Sequence, residues 1–192
     1  MYTEEQEKFI EEHLRRPDND RMIAEIAFQI AEEFGKVGGK ISPALARDTA
    51  MLMNLGETDP RIAEIYDESY SWKEHPEAKE SNKLHGQYSV EMAERAGIEL
   101  TEEQKAVIEG HSKGEYPSKL GQIIKIAEVC RATEMPRWYR GEKKEPAKSW
   151  EEVYSVLRED KLLDPTMIAL AGNSYGVEHF TDKEQDKEEI LK

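Results

Sequence analysis

One periodicity governs what this chain can fold into. Ile23, Ile26, Ala27, Ile30, Ala31 and Phe34 repeat at the i, i+3, i+4, i+7 spacing of a single buried helix face. Gly35 follows where a helix C-terminus is expected. The same signal recurs along the sequence. Ser42-Pro43 reads as an N-cap and a first-turn proline, predicting a helix through Leu45, Thr49 and Leu52 that stops near Gly56. Pro60 opens a further predicted helix with Ile62, Ile65 and Tyr66 inward. Tyr88, Met92, Ala93 and Ala96 form another stripe, closed by Gly97. Thr101 to Gln104 and Ser149 to Glu152 are capping boxes, each leading into an apolar run. A longer helix is expected from about Ser118 through Ile123, Ile124, Ala127 and Cys130, with Pro136 ending or kinking it. Asp164-Pro165 opens the last core helix, before Gly172. No alternating strand pattern or Asn-Gly turn competes, so the expected fold class is all-α, a single compact multi-helix domain of eight or so helices.

Length and composition fit that expectation. The chain has 192 residues, enough for a core, and 38% of them are hydrophobic. It carries 27 Lys and Arg against 41 Asp and Glu, a formal charge of −14. Such a chain does not coat nucleic acid or anionic lipid by bulk electrostatics, and any phosphate must meet a local cluster of cations or a metal. The single cysteine, Cys130, excludes an internal disulfide framework and sits on the apolar stripe of its helix. The start, Met1-Tyr2-Thr3-Glu4-Glu5, is polar, and no apolar run approaches the length of a membrane span. The expectation is a cytoplasmic protein with no signal peptide.

Of five histidines, His13, His75 and His179 stand in polar surroundings and read as exposed. His85 and His111 differ. One opens the helix ending near Gly97, and the other ends the next helix. Two consecutive antiparallel helices bring the start of the first beside the end of the second, so both imidazoles can face one point, as a metal site requires.

The order of these motifs resembles the HD domain superfamily of metal-dependent phosphohydrolases, and most of all its HD-GYP branch. The stretch Ala127-Glu128-Val129-Cys130-Arg131-Ala132-Thr133-Glu134-Met135-Pro136-Arg137-Trp138-Tyr139-Arg140 parallels A-D-x-x-D-A-L-T-x-x-R-P-Y-R, with several letters changed. Ser149 to Leu157 followed by Leu163-Asp164-Pro165 resembles the branch's S-x-x-E-A-x-x-x-L and F-D-P ending. His111 followed by Gly114-Glu115-Tyr116-Pro117 resembles a shortened H-H-E-x-x-D-G-x-G-Y-P loop. The resemblance divides the chain into an N-terminal helical extension (1–17), a degenerate HD/HD-GYP-like domain (18–176) and a charged C-terminal tail (177–192).

It also shows which family positions are replaced. The first histidine ligand falls at Asn19. The His-Asp pair falls at Met53 and Asn54, and the family's lysine at Glu57. Gly110 stands in place of one of two paired histidines. The resemblance therefore implies no intact catalytic residues. A thioether and a neutral amide are poor substitutes for an imidazole and a bridging carboxylate around hard cations. His85, His111 and Glu128 remain as candidate ligands for one divalent metal (Fe, Mn or Zn), although the expectation is that no cofactor is bound.

Arg131, Arg137, Tyr139, Arg140, Lys143 and Lys144 form a basic cluster in an acidic chain. The resemblance places Arg137, Tyr139 and Arg140 near the phosphates of a cyclic dinucleotide, where guanidinium forks suit phosphate oxygens. The other reading of Arg137 and Arg140 is salt bridging to nearby carboxylates. Two functions follow. One is a domain that has lost hydrolysis and binds a nucleotide, a protein partner or a second copy of itself. The other is a phosphohydrolase rebuilt around His85, His111 and Glu128.

Overall fold

A computed structural model describes residues 2–67, 74–134 and 147–174. Among them the fold is all-α, with no strand. The helices are α1 (Glu4–His13), α2 (Pro17–Lys36), α3 (Pro43–Leu52), α4 (Ala78–Asn82), α5 (His85–Arg95), α6 (Glu102–His111), α7 (Lys119–Glu134), α8 (Trp150–Glu159) and α9 (Pro165–Ser174). Two 3-10 turns, Leu55–Thr58 and Ala63–Tyr66, join α3 to α4.

The two capping boxes work as read, whereas Ser42 precedes its helix without a side-chain cap bond. Thr101 and Ser149 each accept the backbone N–H of the residue three positions on, and Gln104 and Glu152 answer with their side chains. Thr3 and Gln6 close the same reciprocal cap on α1. The stop signals are less exact. Helix α2 runs past Gly35 to Lys36, and α9 runs past Gly172 to Ser174. Gly97 does close its helix, at a φ of 70° that favours glycine.

Pro60 does not open an α-helix. Asp59 instead accepts the backbone N–H of Arg61 at 3.0 Å and binds its guanidinium, holding the chain in a turn. Only the 3-10 turn Ala63–Tyr66 follows. An aspartate that hydrogen-bonds the backbone two residues ahead competes with helix formation. Ile62 and Ile65 are nonetheless buried, with Ala78, in a small satellite cluster.

Helix α2 is the axis of the main core and packs against α3, α7 and α9. Its stripe from Ile23 to Phe34 is buried together with Ala46, Ala50, Leu52, Ile123, Ile124, Ile126, Ala127 and Cys130. Helix α1 belongs to the same core, since Ile10 and Leu14 are buried in it. Residues 2–17 are thus packed onto the body of the fold. Pro136 and the segment from 177 lie outside the described residues.

Candidate functional site

Two glycines bring the site together. At Gly56 an added Cβ would stand 2.1 Å from the carbonyl oxygen of His85 and 2.8 Å from the Ser89 nitrogen. At Gly86 it would stand 2.2 Å from the carbonyl oxygen of Ile108. Only glycine lets the 55–58 turn lie on α5, and lets α5 lie on the end of α6, this closely. Buried Ser89 fixes the first contact. Its hydroxyl accepts the Gly56 N–H at 2.8 Å and lies 2.7 Å from the Met53 carbonyl oxygen. Asn54, His85 and His111 meet as a result.

His85 and His111 face each other as their positions at the two helix ends predict. Their Nε2 atoms are 2.8 Å apart. Each Nδ1 lies against a backbone carbonyl, that of Asn82 at 2.6 Å for His85 and that of Ile108 at 2.5 Å for His111. A carbonyl only accepts, so each neutral ring carries its proton on Nδ1 and turns a bare Nε2 lone pair toward the other ring. Asn54 adds a third acceptor. Its amide nitrogen donates to Asp20 Oδ1 at 2.9 Å, which leaves its Oδ1 directed at His111 Nε2, 3.4 Å away. Three lone-pair atoms therefore converge with no donor among them. A cation held by both rings or a proton shared between them satisfies such a pair, since 2.8 Å is the length of a direct hydrogen bond and leaves no room for a water between the nitrogens. Burial disfavours the proton, lowering His85 to about 3, with the His111 ring adding to the effect. Burial lowers His111 to about 4 as well. Tyr66 backs His85, with its hydroxyl 3.0 Å from Nδ1 and 2.8 Å from Asn82 Oδ1.

Asp20 is the residue that the sequence reading missed. Asn19, assigned to the family's first ligand position, only donates from its side-chain amide to Asp20 at 2.9 Å. Asp20 itself is fully buried and reaches the cluster through Asn54. The signal was available: Asp20 occupies the apolar register of α2, in step with Ile23, Ala24 and Ala27, where a carboxylate is out of place without a partner. Its Oδ2 makes no hydrogen bond. Burial raises its pKa, while the amides of Asn54 and Asn19, and then Arg16 and Arg131, oppose that rise.

The replaced positions divide. Met53 is fully buried in the hydrophobic core. Glu57 is also buried and ion-paired through Oε1 to Arg16, the residue that precedes α2. Its Oε2 has no hydrogen-bond partner. Burial pushes Glu57 up to about 7, against the pull of Arg16 and with the help of Asp20.

Glu128 lies on α7 one turn beyond Lys125, and its charge reaches His85. Lys125 sits 5.4 Å from the Tyr116 ring centre; burial works against its charge, and Glu128 and Tyr116 outweigh burial and raise its pKa. Among the described residues, no three His, Cys, Asp or Glu side chains stand close enough to form a metal shell. The donor set of two imidazoles and one neutral amide suits a single cation and lacks the bridging carboxylate of a two-metal centre. Arg137, Tyr139 and Arg140 lie outside the described residues. A surface groove of about 680 Å³ near Asp59, Arg61, Glu91 and Arg95 is separate from this cluster, and its arginines are engaged by Asp59 and Glu91.

Compared with known protein families, curated proteins and solved structures, the chain matches none of them. No described helix is long and apolar enough to cross a membrane.

Proposed function

We propose that this chain is a degenerate HD-type domain that has lost phosphohydrolase activity and works as a nucleotide-binding or protein-interaction module. The observation that carries this reading is the joint fate of Met53 and Asn54. At the positions where the resemblance expects a histidine and a bridging aspartate, one side chain is sealed in the core. The other is a neutral amide whose nitrogen is committed to Asp20. Hydrolysis of a phosphoester by two metals needs charge between the cations to hold them together and to generate hydroxide. A neutral amide supplies none. The lysine position agrees, because Glu57 places a carboxyl group where the family has a cation.

In this reading a nucleotide would meet Arg137, Tyr139 and Arg140, whose side-chain types suit phosphate oxygens and a base face. The test is a titration with cyclic dinucleotides and mononucleotides, monitored by calorimetry, on the wild type and on Arg137→Ala/Arg140→Ala. Binding that weakens at least about ten-fold in the double variant supports the assignment, a loss of about 1.4 kcal/mol or more. Equal affinity in both proteins removes it.

One observation favours a second reading, the rebuilt single-metal phosphohydrolase. The convergent Nε2 atoms of His85 and His111, each with its Nδ1–H anchored to a carbonyl, are arranged as histidines are when they ligate a metal. These two residues would hold the ion, with Glu128 as the third candidate, and the bound ion would polarise a water or a phosphate oxygen. Metal analysis of the purified protein separates the readings. Stoichiometric Fe, Mn or Zn that disappears in His85→Ala/His111→Ala favours the second. A metal content unchanged by that double variant opposes it.

A further inference from the structure

A carboxyl group in the apolar register of a helix costs free energy unless its partners compensate. Asp20 is such a group, fully buried in the first turn of α2. Its partners meet one atom. Oδ1 accepts the side-chain amides of Asn19 and Asn54, each at 2.9 Å, while Oδ2 makes no hydrogen bond. An oxygen that receives two N–H donors has no lone pair left for a proton, so Oδ1 is an acceptor whether Asp20 is ionised or neutral. Asn54 is therefore held with its nitrogen toward Asp20 and its Oδ1 toward His111 Nε2, 3.4 Å away.

The orientation of that amide decides what the cluster can hold. Reversed, Asn54 would donate to His111 Nε2 and occupy the lone pair that a cation needs. As held by Asp20, it adds an oxygen to the two bare nitrogens of His85 and His111. Glu128 does not complete this group, because among the described residues no three His, Cys, Asp or Glu side chains stand close enough for a metal shell. The charge of Glu128 acts instead on Lys125, of the same helix.

We propose that Asp20 is a positioning residue, which fixes the amide of Asn54 so that Asn54, and not Glu128, is the third ligand of a single divalent cation held by His85 and His111. Two imidazoles and a neutral amide suit Zn or Fe better than Mn, which favours carboxylates. Three neutral donors leave the charge of such an ion uncompensated, so its open positions favour an anionic oxygen, as on a phosphate. The inference rests on the single-ion part of the second reading above, and it holds whether or not the ion hydrolyses anything.

The experiment is titration of the full, metal-free chain with Co(II), followed by visible absorption. Asn54→Leu should bind at least about ten-fold more weakly than wild type. At position 20, Asn keeps an acceptor oxygen for the two amides and Leu does not, and neither carries charge. Asp20→Leu should therefore bind about ten-fold more weakly than Asp20→Asn while Asn54 is present. The two should bind equally once position 54 is Leu, because the effect travels through Asn54. Equal binding by Asp20→Asn and Asp20→Leu with Asn54 present overturns the proposal, as does a difference that persists in Asn54→Leu. Uptake that needs His85 and His111 but not Asn54 overturns it and leaves the single-ion reading standing. No uptake that depends on the histidines removes both. If the leucine variants do not fold, the side-chain carbonyl carbon of Asn54 in wild type decides the matter by nuclear magnetic resonance. Its resonance must shift on saturation with Zn while that of exposed Gln29 stays, and an unmoved Asn54 resonance refutes the assignment.

Discussion

Substituting Glu57 with glutamine should change how stability depends on pH. Glu57 is buried, and burial raises its pKa from 4.5 to about 7 in the folded protein. Between those values the folded chain holds a proton at Glu57 that the unfolded chain has released. Stability therefore falls as pH rises from about 4.5 to about 7 and levels off above it. The shift amounts to about 3 kcal/mol at 1.36 kcal/mol for each pH unit. Glutamine keeps the shape of the protonated acid and does not titrate. Urea unfolding followed by circular dichroism, at pH values from 4.5 to 8.5, gives the free energy for both proteins. His85 and His111 largely cancel in the difference, and Asp20, whose charge acts on Glu57, titrates with it as one coupled pair. Wild-type stability minus that of Glu57→Gln should drop by about 3 kcal/mol across this range. A difference that stays flat within about 1 kcal/mol would refute the reasoning, because Glu57 would then be hydrated or fully neutralised by Arg16.

The histidine pair should act at the acid end. His85 has its pKa lowered to about 3, so below pH 6.5 the unfolded chain binds a proton that the fold refuses, and stability is lost as pH falls. His85→Gln should remove about 3 kcal/mol of the loss between pH 6.5 and 4, measured as a shallower acid limb in the same unfolding series. Gly56→Ala should prevent the 55–58 turn from seating on α5, because its Cβ would meet backbone and not a flexible side chain. A fall of at least about 5 °C in Tm is expected, and an unchanged Tm would contradict the close approach. Met53→Ala should lose about 2–5 kcal/mol, as expected for emptying a fully buried site.

Much of the architecture was legible in the residues, for local reasons. Capping boxes at Thr101 and Ser149 specify helix starts through reciprocal hydrogen bonds within four residues, so no distant contact is needed to read them. The helix expected after Pro60 fails for an equally local reason, the Asp59 carboxylate bonding to Arg61, which hydropathy does not register. The meeting of His85 and His111 followed from helix direction alone. What surrounds them did not. Asn19 drew attention through alignment with a family pattern, while Asp20, the next residue, is the one turned into the cluster. Periodicity would have marked it as an acid on an apolar face. The roles of Gly56, Gly86 and Ser89 depend on how closely separate elements approach, and a linear sequence carries no such distance.

The proposed loss of hydrolysis is tested most directly by assaying the purified chain, loaded in turn with Fe, Mn and Zn, against bis-p-nitrophenyl phosphate and cyclic dinucleotides. The account predicts no turnover above that of the metal ion alone. Turnover that requires one of these metals, and that vanishes in His85→Ala/His111→Ala, would contradict it and establish the rebuilt site.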